Sequence, residues 1–335
     1  MKYFCKTAIG VTEQLALLQA RGLLIHDERK ARCLLESVGF FRLSPYMLPF
    51  QRTGDTGQGF LPGSSFCGLT RLYEFDRKLR LLVMDAIERV EVAIRAAITH
   101  HMAPAYGTHW YTEPQLFQRE YRHQKLLNKI IRKQADACRN YQRECHRIDL
   151  SKASSTRKEH LKQQRMKDSY SRHYALTYLE PPLMPAWAVM EEISFGELSH
   201  LYAGLAKDGD KKAIARRLAL PGPLVESWLH SLNAIRNICA HHARLWNREL
   251  GIRPELPKRV NFLWPRGLSQ QISNTRVFTI LCILNLLMRR ISPDTDWGRR
   301  LHSLIGDCPE THLLSMGFPT DWYKDPFWAV SEGSI

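Results

Sequence analysis

The segment from Leu69 to Met102, LTRLYEFDRKLRLLVMDAIERVEVAIRAAITHHM, constrains the fold more than any other. Leu72, Phe75, Leu79, Leu82, Ala86, Val90 and Ala93 recur at three- and four-residue spacing, which is the face of one long amphipathic helix. Pro104 and Gly107 are expected to close it. Strand signals elsewhere are few, so the fold class is all-α or nearly so. Two short helices are expected over 12–38, with Thr12 and Asp27 as N-caps and Gly22 and Gly39 as stops. GFFRLSPYMLPFQR, broken by Pro45 and Pro49, reads as extended chain with one or two short strands. Residues 53–65 read as a loop. Further helices are expected at 186–192, 195–206, 209–219, 223–248, 274–290 and 294–305, with a loop at 254–265. The resulting organisation has three parts. They are an N-terminal helical and extended region over 1–66, a helical domain over 67–306 with a basic helical insertion at about 115–175, and an irregular tail over 307–335.

Charge narrows the range of partners. The 335 residues hold 48 Lys and Arg against 33 Asp and Glu, a formal charge of +15. That excess points to a polyanion. Residues 119–173 alone hold 16 Lys or Arg against six Asp or Glu, a net +10, with few apolar residues and a break at SKASST. They read as a solvated helical arm whose clustered cations, Lys125, Lys129, Arg132 and Lys133 among them, suit RNA phosphates.

Several classes are not expected. The N-terminus has no apolar stretch behind its lysines, so no secretory signal is read there. The apolar run at 277–288 is interrupted by Thr279 and Asn285 and reads as a core helix, so no membrane partner is expected. Eight scattered cysteines with no C-x-x-C pair argue for reduced thiols in a cytoplasmic protein without structural zinc, and no cofactor is expected.

The chemistry concentrates in LHSLNAIRNICAHHARLWNR, residues 229–248. On one continuous helix, Asn237, His241, Arg244 and Arg248 share a narrow polar stripe. Ile235, Cys239 and Trp246 take the opposite side, and His242 points to that side as a core histidine. Arg236 and His241 diverge by about 140°. Ala240 and Ala243 beside Arg236 leave room for a second helix, so a twofold axis here would bring Arg236 of one chain to His241 of the other. A His and an Arg together suit RNA cleavage without a metal. The imidazole takes the proton of a ribose 2′-hydroxyl, and the guanidinium stabilises charge on the phosphate. The R-x-x-x-x-H spacing alone is weak, because Arg95 and His100 repeat it. There a surface or packing Arg and a helix-end His are the expectation.

RNICAHHARLWNR at 236–248 resembles the signature of the abortive-infection (Abi) proteins of bacteria, within the HEPN superfamily. TEQLALLQARGLLIHDERKARCLLESVGFFRLSPYMLPF at 12–50, LYEFDRKLRLLVMDAIERVEVAIRAAI at 72–98, PPLMPAWAVMEEISFGELSHLYAGL at 181–205 and ALPGPLVESWLHSLNAIRN at 219–237 follow the same family order. The resemblance implies a HEPN-like helical bundle, a homodimer, and an R-polar-x-x-x-H motif that cuts RNA without metal. Carried over by position, Arg236, Asn237 and His241 are the catalytic residues. From their place in the same segment, His242, Arg244 and Arg248 are candidates to support them, with structural or RNA-contacting roles open for the two arginines. It also implies phage defence or a toxin role with a neutralising RNA or protein antitoxin as partner. Two other readings stay open. One is a non-catalytic RNA-binding HEPN protein. The other is a DNA-binding regulator with a helix-turn-helix over 210–233, in which Trp228 and Leu229 nevertheless look buried.

Overall fold

The computed structural model describes residues 7–52, 54, 58–258, 261–265 and 274–328. Part of the loop expected at 53–65, and two residues of the one at 254–265, lie outside these. Among the described residues there are α-helices, short 3-10 turns and isolated β-bridges, and no strand. The all-α class therefore holds.

α4, Phe66–Tyr106, is the axis. Its 41 residues make it about 60 Å long. Ser65 caps it by accepting from the Gly68 amide, and Gly107, at φ +94°, ends it. Pro104 does not end the helix but lies inside it. The carbonyl it deprives of an amide partner, that of His100, accepts from Arg217 at 3.4 Å.

Around α4 stand α1 (Val11–Ala20), α2 (Glu28–Ser37) and α3 (Phe40–Met47) at the N-terminal end. Asp27 caps α2 as expected, accepting from Lys30. Thr12 does not cap α1. Gly10 is the N-cap, with Glu13 accepting its amide, while the Thr12 hydroxyl accepts from Arg32.

The aromatic segment after Gly39 is not extended. It forms α3 and a 3-10 turn at Leu48–Phe50. Pro45 should break a helix because it leaves the Phe41 carbonyl unpaired, but the Ser44 hydroxyl donates to that carbonyl at 2.8 Å.

The basic segment forms α5 (His123–Asp149), α6 (Ser155–Lys167) and α7 (Tyr170–Thr177), with the expected break capped by Ser154. Leu126, Ile130 and Gln134 bury the root of α5, whereas α6 buries nothing. α8 (Ala186–Glu192), α9 (Phe195–Ala203), α10 (Asp208–Arg216) and α11 (Gly222–Ala240) return the chain to the body. α12 (Val277–Ile291) is buried from Val277 through Met288, and α13 (Trp297–Gly306) lies beside it against α4. Within the region expected to be an irregular tail, α14 (Glu310–Ser315) is helical, and Phe318, Trp322, Phe327 and Trp328 are buried in an aromatic cluster that includes Phe278 of α12.

Candidate functional site at the end of α11

α11 stops at Ala240, eight residues short of the expected 223–248. His241 is the C-cap, and His242 takes the left-handed conformation at φ +55°. The His242 amide donates to the Cys239 carbonyl at 2.9 Å, and the Ala243 amide to Ile238 at 3.0 Å. This is a Schellman turn with histidine where glycine is usual. No glycine or proline marks the stop, so the local sequence gives no warning of it.

The reason lies under the turn. Asp76 of α4 is fully buried, and its carboxylate accepts from the Trp246 amide at 2.6 Å and the Leu245 amide at 3.2 Å. Continuing α11 would commit those amides to the helix ladder and leave Asp76 with fewer donors. Arg80, one turn on, is ion-paired to Asp76, and the Tyr46 hydroxyl of α3 donates to it while accepting from Arg80 at 3.1 Å. Burial pushes the Asp76 carboxyl above the usual carboxylate range, opposed by Tyr46, Arg80 and the two amides. Burial and the Asp76 charge push the neighbouring Cys239 thiol up to about 12, so it stays protonated and inert. A second tie comes from α3, where Arg42 donates to the His242 carbonyl at 2.7 Å.

The single polar stripe therefore does not form. Arg236 and Asn237 sit on the last turn of α11, and the Arg236 guanidinium donates to the Asn237 side-chain oxygen at 3.3 Å. Asn237 and His241 are exposed, and Arg236 is half-buried. His241 still follows the helix at its cap, so its divergence from Arg236 stands. His242 is exposed and is not a core histidine. Arg244 and Arg248 lie beyond the helix. Arg244 stands 5.9 Å from the centre of the buried Trp246 ring, and Arg248 donates to the Arg244 carbonyl at 3.4 Å. His312 of α14 meets the Trp246 ring edge-on at 5.4 Å, which joins the tail to the turn.

Sequence reasoning missed Asp76, Arg80, Tyr46 and Arg42. One signal was present. Asp76 and Arg80 are charged, four apart, and fall on the same face as Leu72 and Leu79. A charged pair on an apolar face marks a buried network. At the repeat spacing, Arg95 takes the packing role of the two that the sequence left open, while His100 is not at a helix end, because α4 runs on to Tyr106. Arg95 is buried, paired with Glu91, and donates to the Ile193 carbonyl, while His100 is exposed.

The four arm cations Lys125, Lys129, Arg132 and Lys133 line one open cleft of about 890 Å³ between α5 and α9. Lys129 pairs with Glu197, Arg132 with Asp136 at 3.9 Å, and Lys133 with Glu192 at 3.5 Å. The Lys129 and Lys133 pairs hold the arm to α9 and α8, whereas the Arg132 pair lies within α5. Lys125 is exposed and, of the four, the one with no ion pair among the described residues. In the helix-turn-helix reading, the reading helix would be the first half of α11. There Trp228 and Leu229 are buried, and Glu226 is paired with Lys211. Among the described residues no helix is long and apolar enough to cross a membrane, and no cluster of three or more His, Cys, Asp or Glu is placed to hold a metal.

The fold and site define an all-α protein with a histidine–arginine turn braced on a buried carboxylate. The family model described as "Abi-like protein" matches residues 33–247, well over half of the chain and including this turn, so the chain belongs to the Abi-like protein family. No curated protein and no solved structure gives a match.

Proposed function

We propose that this protein is a metal-independent endoribonuclease of the HEPN type, acting in the bacterial cytoplasm in abortive infection or as a toxin. The observation that carries the reading is the R-N-x-x-x-H set at the closed end of α11. Asn237 and His241 are exposed there, and the backbone beyond them is fixed by Asp76 and Arg42. Membership of the Abi-like family supports the defence role. In the reaction, His241 takes the proton of a ribose 2′-hydroxyl, the oxygen attacks the adjacent phosphorus, and the bond to the 5′-oxygen breaks. That oxygen leaves with a proton from water. Arg236 stabilises the charge that develops on the phosphate, and Asn237 holds the Arg236 guanidinium. The products carry a 2′,3′-cyclic phosphate and a 5′-hydroxyl.

Arg236 and His241 diverge on one protomer, so the working site pairs Arg236 of one protomer with His241 of its partner. The twofold axis passes beside the part-exposed Ala240 at the end of α11, with Ala243 carried off the helix by the turn. The arm supplies affinity for RNA, and a neutralising RNA or protein antitoxin restrains the enzyme. The test is cleavage of RNA by the wild type and by His241→Ala in the presence of EDTA, followed by mapping of the ends. Cleavage in EDTA with cyclic or 3′-phosphate ends, lost in His241→Ala by about 10²-fold or more, supports the reading. RNA binding with no cleavage by either protein makes the chain a non-catalytic binder. Cleavage that stops in EDTA and returns with magnesium rejects the mechanism.

A further inference from the structure

We infer that Phe41 is a base-stacking residue that selects unpaired RNA beside the R-N-x-x-x-H turn. This rests on the ribonucleic-acid reading above and adds its substrate class. α3 buries Leu43, Tyr46 and Met47 against the body, which turns Phe41 to the opposite side. Its ring is 91% exposed, and none of the described aromatic side chains is more so. Leu48, just after the helix, is 59% exposed. An apolar ring on an outward helix face needs an occupant, and its surroundings choose one.

The next residue, Arg42, donates to the His242 carbonyl at 2.7 Å and so fixes the first turn of α3 to the end of α11. The first turn of α3, which carries Phe41, therefore lies beside the end of α11, where His241 and His242 are exposed. An aromatic face on a helix turn that also carries a guanidinium, beside the R-N-x-x-x-H turn, matches a strand that carries both phosphates and bases. The size fits as well. One ring covers about 150–250 Å², whereas a stable protein interface needs roughly 800 Å² from each partner. Phe41 with Leu48 falls far short of a protein interface but suffices for one or two bases. A paired base has both faces occupied by its neighbours in the duplex, so only an unpaired nucleotide can offer a face to the ring.

The experiment uses the His241→Ala protein, which leaves the RNA uncut. A short RNA containing 2-aminopurine is titrated as a single strand and as a duplex, with sedimentation run in parallel. Adding Phe41→Ala should weaken single-strand binding about 5-fold or more, leave duplex binding unchanged, and abolish quenching of the 2-aminopurine. Phe41→Trp should restore both affinity and quenching. Equal losses for both RNAs, or no loss for the single strand, overturn the inference. So does a dimer that falls apart on Phe41→Ala while the monomer binds RNA as before, because the ring is then a protein contact. If the His241→Ala protein binds neither RNA, the RNA reading itself fails. If it binds both and Phe41→Ala changes nothing, the stacking role alone fails.

Discussion

Asp76 is a buried carboxylate fed by donors from three separate parts of the chain: Tyr46 in α3, Arg80 in α4, and the amides of Leu245 and Trp246. Removing it strands the Arg80 charge and two amides at once. Asp76→Ala should therefore cost about 3–5 kcal/mol of stability in urea unfolding, the usual penalty for orphaning a buried ion. Arg80→Met together with Asp76→Leu should recover part of that loss, and a double variant no better than the single would reject the ion-pair account. His242 offers the opposite kind of test. Its left-handed backbone is strained for any residue with a Cβ. His242→Gly should be neutral or stabilise by up to about 1 kcal/mol, while His242→Val should cost about 1–2 kcal/mol. A core histidine would lose stability in both variants, so the same denaturation curves distinguish the two placements.

At the scale of elements, the arm separates binding from chemistry. Its net +10 is partly spent on holding α5 to α8 and α9 through Lys129 and Lys133. Lys125 and the exposed Arg122 line the cleft beside it. Charge reversal at these two positions should weaken RNA binding and flatten its salt dependence, since each lost phosphate contact removes about 0.7–0.9 from the slope of log K against log salt. Reversal at Lys129 or Lys133 should in addition loosen the arm, measured as faster amide exchange along α5. Unchanged affinity and slope in the Lys125 and Arg122 variants would show that the cleft does not hold RNA. Much of this element was legible beforehand. The charge run and a break within 151–156 between two helices follow from local composition, whereas the third helix, α7, is not read from it. The partners of the arm's lysines do not follow either, because Glu192 and Glu197 are about sixty residues away in sequence and meet α5 only in the folded chain.

For the whole molecule, assembly and acidity give two further checks. If the twofold axis runs beside Ala240, Ala240→Arg should yield a monomer in sedimentation and abolish RNA cleavage in the same sample. A monomer with full activity would remove the composite site. The tail is coupled to the turn through His312, whose pKa burial holds below the ordinary value of 6.5. The unfolded chain therefore binds that proton more readily. The stability His312 contributes is present above about pH 6.5 and is lost as pH falls through the lower folded value. Melting temperature should drop over that window, and His312→Phe should flatten the drop. An identical pH profile in the variant would detach His312 from the effect.

The sequence by itself determined the helical class, the long central helix and the basic arm, because periodicity and charge are local properties, and it singled out Arg236, Asn237 and His241, which the fold places on the last turn and cap of α11. It also supplied the cap at Asp27, where one side chain satisfies a neighbouring amide. Only the tertiary structure decided where α11 ends. The competing partner for the amides of Leu245 and Trp246 is a carboxylate some 170 residues earlier in the chain. The same holds for α3, whose proline favoured extended chain until Leu43, Tyr46 and Met47 found a surface to bury against and Ser44 covered the freed carbonyl. In α3 the three buried side chains, at about 1.5–3 kcal/mol each, outweigh the roughly 3 kcal/mol that a proline costs inside a helix, and at the end of α11 the buried carboxylate takes two amides from the helix ladder. Packing therefore overrode the sequence signal at the two places where α3 and the end of α11 meet α4.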